Sequence, residues 1–64
     1  MMNINFGNLI ELVDNIKKVI VVNEEWKEVE QFDFKGFIRH RKYYNLSVVQ
    51  LDMATATVVL VKEA

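Results

Sequence analysis

The side chains able to do chemistry gather between Lys35 and Tyr44. Lys35, Arg39, His40, Arg41, Lys42, Tyr43 and Tyr44 bring together both Arg, both Tyr and the only His of the chain. Guanidinium and ammonium groups neutralise phosphates, and aromatic rings stack on unpaired bases. The same grouping also suits a protein-binding surface. A third reading is local charge pairing, because an acidic run of Glu24, Glu25, Glu28, Glu30 and Asp33 directly precedes it. On adjacent antiparallel strands the two runs would face each other, and such cross-strand pairs stabilise a sheet modestly. The residues alone leave these three readings open.

Covalent catalysis asks for a nucleophile within hydrogen-bond reach of a base. The hydroxyls of Ser47, Thr55 and Thr57 and the imidazole of His40 show no spacing that builds such a set. Gly7 and Gly36 are the only glycines, so no loop can cradle a phosphate with its backbone. Glu24 and Glu28 stand at helical spacing, and paired carboxylates can do acid–base work. A solvated acidic face is the simpler account of them. The chain has no Cys, which excludes disulfides and thiolate metal sites. One His among scattered carboxylates makes no zinc set, and no cofactor is expected. The only Trp, Trp26, reads as a core residue; as a half-exposed residue it would instead be an interface anchor.

The chain has 64 residues and reads as one domain, 1–64. Such a chain buries only about 60% of the surface its unfolded form exposes. Its stability must come from a dense apolar core or from self-association, and an apolar fraction of 52% suits both. The net charge of −1 supplies no domain-wide positive field for DNA. The apolar run Val19 to Val22 is far short of the roughly 20 residues that span a bilayer. No basic segment followed by an apolar stretch opens the chain, so a cytoplasmic location without membrane association is expected. The abundance of Asn, Ile, Lys, Phe and Tyr suggests an AT-rich coding sequence, as in a low-GC bacterium or its phages.

The elements that must position these residues follow from periodicity. Met2, Ile4 and Phe6 alternate with Asn3 and Asn5, as a short strand or an apolar lead-in. Asn8 reads as a helix N-cap with Glu11 three residues on, and Leu9, Ile10, Val13 and Ile16 repeat at helical spacing. The spacing predicts a helix over 9–17. The β-branched run Val19 to Val22 predicts a strand, and Asn23-Glu24-Glu25 a turn. Residues 26–31 suit a strand, with a helical turn as the alternative. Phe32, Phe34, Gly36 and Ile38 occupy one phase of a strand and Asp33, Lys35, Arg39 and Arg41 the other. Gly36, beside the out-of-phase Phe37, predicts a bulge. Tyr43-Tyr44-Asn45 predicts a turn, and strands follow over 46–51 and 55–61. The stretch from Phe32 to Asp52 is expected to hold the central strands.

These elements make an α+β domain: one N-terminal helix packed on a small antiparallel sheet of about four strands. The alternative is a helix leading into an SH3-like or Sm-like small barrel. Gly36-Phe37-Ile38 followed by Tyr44-Asn45-Leu46 resembles the first motif of the Sm and Sm-like proteins, with a basic residue where that motif has Asp and a gap one residue shorter. The resemblance implies a five-stranded barrel after the helix, and a ring in which Tyr44 and Asn45 line an RNA-binding pore. A single helix covers only one face of a sheet. Val22, Val48, Val49, Val59 and Val61 exceed what one face needs, so closure into a barrel or a homodimer is expected. The function expected from the residues is a non-enzymatic protein-interaction module, in the manner of a small phage or mobile-element regulator or inhibitor of a host protein. The alternative is binding of RNA or single-stranded nucleic acid through residues 35–44.

Overall fold

The structure is a computed structural model and describes residues 4–13, 15–35 and 41–62. In chain order it holds helix α1 (Phe6–Leu12), strands β1 (Lys18–Val22) and β2 (Glu28–Asp33), a 3-10 helix (Arg41–Asn45), and strands β3 (Ser47–Asp52) and β4 (Thr57–Val61). One helix lies on a four-stranded sheet that stays open, so neither an SH3-like nor an Sm-like barrel forms.

The helix begins earlier than the periodicity predicts. Asn5, not Asn8, is the N-cap: its backbone is extended, and its side-chain oxygen accepts from the Asn8 N–H at 2.8 Å. The helix ends at Val13, which is extended at φ −128° and ψ 119°. A β-branched side chain gives up little by leaving the helix. Ile16 lies outside the helix, in the lead into β1, and is still buried, so its apolar character does not mark helical phase. Gly7 sits against the 3-10 helix. A Cβ there would stand 3.2 Å from the Tyr44 carbonyl oxygen, so the missing side chain lets the two helical segments approach.

The sheet order is β2-β1-β4-β3. β1 pairs antiparallel with β2, and β3 antiparallel with β4, but the central pair, β1 and β4, is parallel. The expected α+β fold, one helix on a small antiparallel sheet of four strands, is present, with a single parallel pair at the centre of the sheet. The stretch from Phe32 to Asp52 supplies edges rather than the centre, which is built from the two β-branched runs. Those runs are apolar in both phases, so the second face of the sheet is apolar at its centre as well as the face that packs in the core. Residues 36–40, where a bulge at Gly36 and a continuing strand were expected, lie outside the described residues. The observed register shifts fall between Val21 and Val22 and between Val48 and Gln50. The chain before α1 joins the β3 edge: Asn5 bridges Ser47, and the Ile4 carbonyl accepts from the Val48 N–H at 3.0 Å.

Pleating sends alternate residues to opposite faces. One face carries Val19 and Val21 of β1, Val58 and Leu60 of β4 and Val48 of β3, each at most 1% exposed. Phe6, fully buried, and Leu9 of α1 close over them with Tyr43 of the 3-10 helix. Phe6 anchors this layer, its ring edge-on to Phe34 at 5.3 Å and stacked with Tyr44 at 5.8 Å. Burying a side chain of this size contributes about 1.5–3 kcal/mol. The registers place Ile20, Val22, Val59 and Val61 on the other face, and no described helix or strand packs on it.

Candidate functional site

The loop joining β1 to β2 is organised by Asn23. Its N–H donates to the Lys27 carbonyl at 2.9 Å, and its carbonyl accepts from the Trp26 N–H at 2.9 Å. Its side-chain oxygen accepts from the N–H groups of Glu25 and Lys27, at 2.9 and 3.1 Å. A short polar side chain that bonds the backbone ahead of it is the usual organiser of such turns. The bonding closes a three-residue hairpin loop whose last residue is left-handed, a place that favours Gly because it has no Cβ. Here it is Trp26, at φ 66°.

Trp26 is 65% exposed, so the expectation that it is core is overturned. The turn geometry dictates this, because the loop holds the residue outside the strand pairing and points its ring at solvent. Val29, two residues into β2, is also largely exposed at 49%. Glu24 and Glu25 lie in the loop and Glu28 opens β2, with Lys27 between them, all exposed. Lys27 lies 3.9 Å from a Glu25 carboxylate oxygen, and both side chains are open to water, so the pair contributes little. The hairpin is an acidic surface with an aromatic tip.

The basic-aromatic cluster divides. Lys35, Arg41 and Lys42 are exposed, while Arg39 and His40 lie outside the described residues. Tyr43 is buried at 7% exposure, and its hydroxyl shares its proton between both carboxylate oxygens of Glu30, at 2.6 and 2.7 Å. That hydrogen bond to Glu30, then burial, then the carboxylate charge hold the phenol above its usual ionisation range. The Tyr43 ring packs on Phe32 at 5.1 Å, and the Lys42 ammonium sits 5.2 Å from its centroid. Tyr44 is half-buried against Phe6. Both rings are thus committed to packing, and the predicted turn at 43–45 is the second half of the 3-10 helix. Beside Tyr43, a cleft of about 190 Å³ is lined by Glu30, Lys42, Leu46 and Lys62.

Among the described residues, the acidic run is paired across the sheet with β1 and not with the basic run. β2 lies against β1, with Asp33 opposite Lys18 and Glu30 opposite Val21. Among the described residues no group of three His, Asp or Glu side chains is placed to hold a metal ion. No described helix is long and apolar enough to cross a membrane. Sequence reasoning ranked Trp26 as core because Trp usually is. The signal that could have placed it was Asn23, whose turn chemistry puts Trp26 on the loop and not on the strand. Comparison with known proteins finds no matching family model, curated protein or solved structure.

Proposed function

We propose that the protein is a non-enzymatic protein-interaction module that anchors on its partner through Trp26. The observation that carries this reading is the Trp26 side chain, 65% exposed and held at φ 66° on the hairpin tip. Folding gains little from it: the ring buries a minority of its area, and the backbone conformation costs about 1–3 kcal/mol. Strain of this kind collects where a contact is made, and Trp is among the residue types that dominate binding hot spots. Val29 extends the apolar tip, and the surrounding acids call for a partner pocket with a basic rim. The same acids repel phosphate, which favours a protein over a nucleic acid at this surface. A small module of this kind fits the regulator or inhibitor of a larger protein, such as a phage or mobile element encodes.

Binding of RNA through residues 35–44 has less support. Its electrostatic part survives in exposed Lys35, Arg41 and Lys42, but the Tyr43 and Tyr44 rings are turned into the fold, away from bases. The deciding experiment is affinity capture from a low-GC bacterial lysate with the wild-type chain and with Trp26→Gly. A protein retained by the first and lost by the second supports the reading. Equal capture by both removes Trp26 as the anchor, and an RNA as the captured species overturns the protein reading.

A further inference from the structure

The face of the sheet opposite α1 has a definite layout. Its middle is apolar: Ile20 and Val22 of β1 lie beside Val59 and Val61 of β4. Its two margins are polar and acidic. Glu28 and Asp33 stand on the β2 margin, and Asp52 on the β3 margin. Lys18 is the cation on the central strands. With the Gln31 amide oriented to satisfy its neighbours, Lys18 donates to the Gln31 oxygen at 3.0 Å while the Gln31 nitrogen donates to Glu28 at 3.2 Å. Between β1 and β3 the surface is concave, with an open volume of about 420 Å³. Ile20, Val59 and Val61 are half-buried there and Val22 is 7% exposed, whereas Val19, Val58 and Leu60 on the opposite face are fully buried.

We infer that this face docks one α-helix of a protein partner, an amphipathic helix flanked on both sides by Lys or Arg. Strands stand about 4.8 Å apart, so the acidic margins on β2 and β3 are about 14 Å from each other. A helix with its side chains is about 10–12 Å wide. Laid along β1 and β4, it would seat an apolar stripe on Ile20 and Val59 and bring its flanks over Asp33 and Asp52. The strands span about 17 Å, enough for about three helical turns.

A second copy of the chain is the competing occupant, and the register counts against it. In a symmetric face-to-face dimer the two-fold axis lies in the plane of the interface. An axis along the strands sets Asp33 opposite Asp52. An axis across them sets Asp33 opposite Glu28. Either diagonal brings one of these acids onto its own copy. Each of these settings, with the axis through the centre of the face, apposes like charges, which costs free energy at an interface. A basic-flanked helix meets the same acids with opposite charge.

The test uses the intact chain and two synthetic helical peptides with the same Leu stripe, one flanked by Lys and the other by Glu. Binding is read from backbone amide shifts. The Lys-flanked peptide should saturate the shifts of Ile20, Gln50 and Val59, at least about tenfold more tightly than its Glu-flanked twin. Asp33→Asn combined with Asp52→Asn should close most of that gap without lowering the melting temperature. Trp26→Ala should leave peptide binding unchanged, so failure at the hairpin tip and failure at this face are read separately. Equal affinity for the two peptides, binding of neither, or shifts centred elsewhere overturns the inference. A concentration-dependent dimer that moves the same three amides also overturns it, in favour of a second copy.

Discussion

The Tyr43 hydroxyl sits 2.6 and 2.7 Å from the two carboxylate oxygens of Glu30, and so ties the 3-10 helix to the edge strand β2. A hydrogen bond to a charged acceptor contributes about 1.5–3 kcal/mol in favourable settings. Glu30 is exposed and regains water when the bond is broken, so the lower end applies. Tyr43→Phe should lower stability by about 1.5 kcal/mol in denaturant unfolding. A loss near zero would mean that the ring alone holds the 3-10 helix in place.

The same pair carries a pH signature. Glu30 raises the folded-state pKa of Tyr43 above the ordinary 10.0, so the folded chain keeps the proton that the unfolded chain releases first. The stability from this bond is therefore complete below the unfolded value and falls as pH rises through the folded one. Melting temperatures of wild type and Tyr43→Phe should differ most near neutral pH and converge above about pH 10. A gap that widens with pH would contradict the sign.

Trp26→Gly should stabilise the fold while it weakens partner binding. Gly relieves the left-handed strain, and an exposed ring surrenders little burial, so a gain of about 0.5–1 kcal/mol is expected. In a domain of this size that raises the melting temperature by about 4 °C. Trp26→Ala keeps a Cβ at the same φ and should give no such gain. If both variants melt lower than wild type, the ring is structural.

Neighbours on β4 should respond very differently. Val58 is fully buried in the core, whereas Val59 lies half-buried on the open face. Val58→Ala should cost about 2–3 kcal/mol and Val59→Ala less than about 1 kcal/mol in urea unfolding. Comparable losses would mean that both sheet faces are covered in solution.

The helix cap offers a further contrast. Asn5→Ala removes the side chain that accepts from the Asn8 N–H and should cost about 1 kcal/mol. Asn8→Ala sits within the helix on an exposed position and should be close to neutral. Thermal melts of the two variants decide which residue is the cap.

By itself the sequence determined the class and the parts. The β-branched runs around Val19 and Val58, the turn at Asn23 and the strand over Val48 were all legible, because side-chain period and turn chemistry are local properties. Tertiary structure decided what those parts became. The parallel pairing of β1 with β4 joins residues some forty positions apart, and no local period encodes it. That pairing sends the stretch from Phe32 to Asp52 to the sheet edges and leaves the Ile20 and Val59 face open. It also turns the Tyr43 and Tyr44 rings inward, where Glu30 and Phe6 receive them. Trp26 shows the limit of residue type as a guide: hydrophobicity argued for the core, and the hairpin geometry set by Asn23 overruled it.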